Sequence, residues 1–178
     1  MPYTVCLFGL SGVGKTTLAK RVVARVPNVS HVTASALLRS ALDLSAEQLR
    51  TESAENVRSN QDVLVQAFWR VCGNLPVVLF DGHSLIDGEA GLIDVPLQTI
   101  IALKPAHVVF VHATVEEIVQ RRASDAGRVR PARTPKQLSE QQPRAEKNAR
   151  SYALAAGVPF VSTSADDDAL VAEIFAAN

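Results

Sequence analysis

The stretch Gly9-Leu10-Ser11-Gly12-Val13-Gly14-Lys15-Thr16-Thr17 matches the phosphate-binding pattern G-x-x-x-x-G-K-[ST], and its flanks supply the setting that pattern needs. Upstream, Tyr3-Thr4-Val5-Cys6-Leu7-Phe8 is a short apolar, β-branched and aromatic run that reads as a buried first strand. Downstream, Thr17 to Val26 reads as a helix ended by Pro27. A strand-to-helix turn of this kind aims successive backbone N–H groups and the positive end of a helix dipole at one point, where phosphates can sit. Gly9 and Gly14 give the close approach that a Cβ would block, and Ser11, Gly12, Val13 and Thr17 complete the cradle. Lys15 is expected to reach the β and γ phosphates of ATP, and the Thr16 hydroxyl to bind the accompanying Mg²⁺.

Length and composition bound the rest. The chain has 178 residues, which predicts a single domain with a real core. Hydrophobic content of 47% with 20% charged residues fits a globular α/β protein rather than a disordered one. No run approaches the roughly 20 apolar residues of a membrane span, and the first residues lead directly into a strand without the features of a secretory leader. Cys6 and Cys72 form neither a metal spacing nor a disulfide framework, so a cytoplasmic location and no membrane partner are expected. With 18 basic and 18 acidic residues, overall charge predicts no nucleic-acid partner.

That balance conceals an asymmetry. Residues 121–150 carry nine basic side chains against three acids, so the rest of the chain is net negative by six. Half of the cationic charge lies in about one sixth of the length, and it must neutralise something or repel itself.

Strand and helix signals alternate along the chain, which argues for a parallel sheet with crossover helices. Val29 to Val32 reads as a second strand, Ala34 to Leu42 as a helix, and Ser45-Ala46-Glu47-Gln48 as a capping box opening another. A longer helix is expected over about 52–71, with Val57, Leu64, Phe68, Val71 and Cys72 on its buried face. Pro76 to Phe80 and His107 to Val111 read as buried strands. Thr114 to Glu117 caps a helix running to about Arg122 or Ser124, and 125–135, rich in Gly, Pro and Arg, reads as a loop. A helix from about Lys136 to Gly157 is expected to kink or break at Pro143. Val158 to Val161 is the last strand, and Ser164 to Asp167 caps the last helix.

An acid closing a buried parallel strand, as in Val77-Val78-Leu79-Phe80-Asp81, is the expected second half of a phosphate-loop site. Parallel strands bring their carboxyl ends to one edge, so Asp81 should lie near Lys15 and Thr16 and hold Mg²⁺ or its waters. Phosphoryl transfer depends on positioning and positive charge, and Arg121, Arg122, Arg128 and Arg130 flank or lie in a loop able to supply both.

The segment His31-Val32-Thr33-Ala34-Ser35-Ala36-Leu37-Leu38-Arg39 should lie across a cleft from the phosphate loop. Here the chain resembles adenylate kinases and other nucleoside monophosphate kinases, especially the archaeal-type adenylate kinases and their eukaryotic nuclear relatives. The resemblance runs in order through the phosphate loop, Leu37-Leu38-Arg39, Glu47-Gln48-Leu49-Arg50, Asp81-Gly82-His83-Ser84, the proline-bearing loop through Pro96, Arg121-Arg122, the arginine-rich segment, and Gln142 with Tyr152. It implies a P-loop NTPase three-layer fold with a five-stranded parallel sheet in the order 2-3-1-4-5, an acceptor-binding insert at about 33–56 and an arginine lid at about 125–135. Arg39 and Arg50 then bind the acceptor phosphate, His83 lies near the transferred group, and Arg122 and Arg128 close on the phosphates. Thr33-Ala34-Ser35-Ala36 departs from the family's usual Ser-Thr-Gly-Asp, which bears on the acceptor base.

The implied activity is transfer of the γ-phosphoryl of MgATP to a nucleoside monophosphate, AMP above all. Two alternatives share these parts: a P-loop ATPase acting as a switch or assembly factor, and a kinase of a small metabolite. The sequence carries no signal of oligomeric state, and a monomer is compatible with it.

Overall fold

A computed structural model describes residues 1–45, 48, 54–88, 91–125 and 131–176, with the side chains of 54–58 outside the description. Five parallel strands form the main sheet: β1 (Tyr3–Phe8), β2 (Val29–Thr33), β3 (Val77–Asp81), β6 (His107–His112) and β7 (Phe160–Ser164). Their order is β2-β3-β1-β6-β7. Counted within this sheet alone it is 2-3-1-4-5. The numbering is displaced by an antiparallel hairpin, β4 (Leu85–Gly88) and β5 (Gly91–Asp94), which the sequence analysis did not anticipate.

β1 is central because almost every residue in it is apolar. Val5 to Phe8 are fully buried, and pairing with β3 and β6 leaves the strand no edge. Helices cover both faces: α1 (Lys15–Arg25), α2 (Ala34–Leu42), α3 (Ala54–Cys72), α4 (Leu97–Ala102), α5 (Val115–Ser124), α6 (Pro135–Ala156) and α7 (Asp168–Ala176). Edge-on ring contacts tie the layers together, with centroids 5.5 Å apart for Phe8 and Tyr152 and 5.7 Å for Phe68 and Phe80. Among the described residues no helix is long and apolar enough to cross a membrane.

Several local expectations hold in detail. Ser45 and Gln48 exchange capping bonds, Ser45 N–H to Gln48 Oε1 at 2.8 Å and Gln48 N–H to Ser45 Oγ at 3.1 Å. Thr114 and Glu117 form a complete capping box at the start of α5. On α3, Leu64, Phe68 and Cys72 are buried as expected, whereas Val71 is 50% exposed because it lies one step round from that face. Val57 falls outside the described side chains.

Two expectations differ for identifiable reasons, and a third, the cap of the last helix, holds. α6 runs unbroken through Pro143. Leu138, Gln141, Ala145, Ala149, Tyr152 and Ala153 form one buried stripe across it, while Pro143 is exposed, so the Ser139 carbonyl it leaves unpaired faces water. β7 begins at Phe160 rather than Val158, because the left-handed Gly157 cap and the bond from Val158 N–H to the Ala153 carbonyl spend Val158 on closing α6. α7 is capped by Asp167, whose Oδ1 accepts from Leu170 N–H at 3.2 Å.

Candidate active site

The carboxyl ends of β1, β2 and β3 meet at one edge of the sheet, where a cleft of about 460 Å³ opens. One wall is the loop after β1. Gly9, Gly12 and Gly14 all take positive φ (152°, 99° and 101°), so the loop turns sharply and delivers the chain into α1 at Lys15. A Cβ on Gly9 would stand 2.5 Å from the Val111 carbonyl oxygen, so strand β6 itself requires glycine there. Ser11, Gly12, Gly14, Lys15, Thr16 and Thr17 line the cleft. Gly9 and Val13 lie behind them and shape the loop, with Val13 fully buried.

Lys15 is only 6% exposed, and its Nζ donates to the Gly9 carbonyl at 2.8 Å and the Leu10 carbonyl at 3.3 Å. The ammonium is thereby held against the loop carbonyls, in the lining of the cleft.

Asp81 closes β3 and faces the same space. His31 Nε2, on β2, lies 3.6 Å from Asp81 Oδ2, an ion-pair contact beyond full hydrogen-bond length. Burial pushes the Asp81 carboxyl up. The His31 contact, the positive charge of Lys15 and the neighbouring His83 and His31 imidazoles outweigh it and hold the group below the ordinary carboxylate value. It is therefore ionised at neutral pH, as a ligand for a hard cation must be. His83 also lines the cleft, and its Nδ1 donates to the Gly9 carbonyl at 3.1 Å, which fixes the ring against the loop.

The opposite wall is the start of α2: Thr33, Ala34 and Ser35, with the Thr33 hydroxyl capping Ala36 N–H at 3.1 Å. Arg39 lies one turn further along α2, exposed, with its Nε bonded to the Ser35 carbonyl at 3.4 Å; it is not among the cleft-lining residues. Arg50, Arg128 and Arg130 lie outside the described residues.

The double arginine divides its labour. Arg121 lines the cleft and donates from Nη1 to the Val13 carbonyl at 2.8 Å while pairing with Glu117. Arg122 lies outside the lining, against the back of the loop, and donates from Nε to the Ser11 carbonyl at 2.9 Å. Both therefore brace loop carbonyls. Gln142 clamps the Ala113 main chain through two bonds, and Tyr152 donates its hydroxyl to the Val95 carbonyl at 2.6 Å, so both act as internal struts.

Sequence reasoning missed the β4–β5 hairpin and its two acids. Asp87 accepts Nε and Nη2 of Arg133 at 2.9 and 2.7 Å, and Asp94 takes Arg144 in a two-bond pair at 3.0 and 2.6 Å. The signal was present: Leu85-Ile86 and Leu92-Ile93 flank a short glycine-bounded turn, which is a hairpin pattern.

A parallel sheet with this loop at its carboxyl edge, an ionised acid on the neighbouring strand and a second wall facing both defines an ATP-dependent phosphotransferase of the P-loop small-molecule kinase class. Residues 8–139 match the model of the AAA domain family, and the chain belongs to that family. It is similar to the adenylate kinase of Pyrococcus horikoshii, at 29% identity over 86% of this chain and 82% of the relative. It is likewise similar to the adenylate kinase of Methanopyrus kandleri, at 24% identity over 96% and 93%. In fold it is similar to the shikimate kinase from Acinetobacter baumannii in complex with shikimate, with a TM-score of 0.71 at 16% identity, covering 100% of this chain and 95% of that one. The shikimate kinase from Aquifex aeolicus superposes with a TM-score of 0.61 at 14% identity, over 97% and 93%.

Proposed function

We propose that the protein transfers the γ-phosphoryl of MgATP to a nucleoside monophosphate, with AMP as the preferred acceptor. The observation that carries this reading is the two-walled cleft, with Lys15, Thr16 and Asp81 on the donor side and the start of α2 facing them. Similarity to archaeal proteins named adenylate kinase over most of the chain supports AMP as acceptor.

In this reading Lys15 stabilises the transferring group, Arg39 and Arg50 hold the acceptor phosphate, His83 lies beside the transferred phosphate, and Arg128 serves phosphate closure, while Arg122, expected from the sequence to close on the phosphates, acts instead from behind the loop through the Ser11 carbonyl. Thr16 and Asp81 suit Mg²⁺, since a hydroxyl and an ionised carboxylate are hard oxygen donors, and this ion takes few protein ligands beside phosphate oxygens and waters. When bound, the ion draws negative charge from the β and γ oxygens. The cytoplasm is the proposed location, where the buried free thiols of Cys6 and Cys72 stay reduced.

The test is ADP formation from MgATP with AMP, CMP, GMP, UMP and dTMP in turn. AMP-dependent ADP that disappears in Lys15→Ala supports the proposal, and Arg39→Ala should raise the acceptor KM with little change in the ATP KM. Equal ADP and phosphate release without any acceptor would replace it with an ATPase. Turnover only with a non-nucleotide acceptor would make the protein a metabolite kinase.

A further inference from the structure

We propose that Asp87 is a positioning residue for the phosphate-binding loop, acting through Arg122; this rests on the nucleotide-binding half of the reading above and not on the acceptor. Asp87 lies on β4, outside the loop motif and the cleft lining, with its side chain only 8% exposed. Its two oxygens have different surroundings. Oδ1 accepts both Nε and Nη2 of Arg133, which anchors the carboxylate. Oδ2 is buried, has no hydrogen-bond partner, and lies 3.8 Å from Nη1 of Arg122.

Arg122 is 12% exposed in its side chain and donates from Nε to the Ser11 carbonyl. Its Cγ lies 3.0 Å from the position a Cβ on Gly12 would take. One edge of the guanidinium therefore holds the loop, while another faces a buried negative charge. A long arginine at the end of α5 has many rotamers available, and the Asp87 field confines it to those that keep Nε on Ser11. With that carbonyl held from behind, the loop N–H groups stay turned toward the cleft, as anion binding requires.

A carboxylate kept for stability alone would normally have both oxygens satisfied when this deeply buried. Asp87 instead leaves one oxygen open toward an arginine already engaged with the loop. The loop sequence contains no trace of this support, because Asp87, Arg122 and Ser11 come from three separate segments.

The test is a double-mutant cycle on the full chain, reading the Kd of a non-hydrolysable MgATP analogue by calorimetry without acceptor. Asp87→Asn keeps the volume and removes the charge. It is expected to weaken binding about five- to tenfold, while Asp87→Glu stays within about threefold of wild type. In an Arg122→Gln background, Asp87→Asn should produce no further loss, because its route is already cut. A merely structural Asp87 would lower the melting temperature and add its loss to that of Arg122→Gln. Unchanged or tighter binding in Asp87→Asn, or losses that multiply in the double variant, overturns the proposal. Should Asp87→Asn fail to fold, Arg133→Gln removes the anchor of the same carboxylate and must show the same non-additivity with Arg122→Gln. A wild-type chain that binds the analogue but never phosphorylates AMP would refute the acceptor reading and leave this test intact.

Discussion

Gly14→Ala tests the geometry of the loop most directly. Gly14 caps α1 at φ 101° and ψ 12°, a conformation that costs an L residue about 1–3 kcal/mol. A Cβ there would also stand 2.7 Å from the Ala165 Cβ, well inside the roughly 3.5–4.0 Å at which carbon atoms attract. Relieving such an overlap in packed surroundings costs about 1–3 kcal/mol more. The two together give about 2–6 kcal/mol, a large part of the roughly 5–15 kcal/mol that holds a domain folded. For a chain of this length, roughly 2–4 °C per kcal/mol converts this to a melting temperature lowered by about 4–24 °C. Thermal and urea unfolding followed by circular dichroism would measure it. Ala165→Gly separates the two terms: it removes the collision, costs about 0.5–1 kcal/mol on its own, and leaves the backbone strain. The pair should therefore couple by about 1 kcal/mol or more in the favourable direction. Strict additivity would refute the collision, and a Gly14→Ala protein within about 1 kcal/mol of wild type would refute both terms.

Asp81, held below the ordinary carboxylate value, contributes stability that is present above the unfolded-state value near 3.9 and is lost as pH falls through its folded value. The acid limb of unfolding free energy below about pH 4 should be shallower in Asp81→Asn than in wild type; an identical limb would show that the carboxylate is not held ionised by folding. Tyr152→Phe removes the donor to the Val95 carbonyl and should cost about 1–3 kcal/mol in urea unfolding, whereas a change under about 0.5 kcal/mol would mean the carbonyl finds another partner. Burial pushes the Cys6 and Cys72 thiols up, so their reaction with a disulfide reagent at neutral pH should follow global unfolding; rapid labelling of the native protein would contradict their burial.

The sheet and the donor half of the site were legible because each depends on contiguous residues with one dominant cause. β1 is apolar apart from Thr4, so its central place follows from composition. The glycines, Lys15 and Thr16 are spaced by the loop they form, and Asp81 ends a run too hydrophobic to be anything but a buried strand. What escaped the sequence depends on neighbours distant along the chain. Pro143 alone predicts a break, and only the stripe from Leu138 to Ala153, packed on the sheet, keeps α6 whole. Val71 and Cys72 both fit a helical period of apolar residues, yet the packing of α3 buries only the second. Arg121 and Arg122 read alike as phosphate ligands, and their separation into a cleft-lining and a loop-backing side chain arises from the angle at which α5 meets the loop.

The cationic excess of residues 121–150 posed the question of what that charge neutralises, and the hairpin supplies much of the answer. Pairing Leu85 with Asp94 and Asp87 with Leu92 puts both acids on one face of β4–β5, because cross-strand partners share a face and alternate residues repeat it. From that face Asp87 meets Arg133 and Arg122, and Asp94 meets Arg144 and Asn148. Glu117 and Glu146 engage Arg121 and Arg150 along their own helices. Exposed pairs such as Asp94 with Arg144 contribute little stability singly, but they decide where each guanidinium points. Arg121 and Arg122 each give one donor to a loop carbonyl, Val13 and Ser11 respectively, so this described part of the segment braces the loop that lines the cleft. Direct attraction for an anion in the cleft then falls to Lys15, to Arg121 at its rim and to the N–H groups opening α1. That division predicts unequal losses: neutralising Lys15 removes charge at the phosphate itself, whereas neutralising Arg122 loosens the frame that aims the loop.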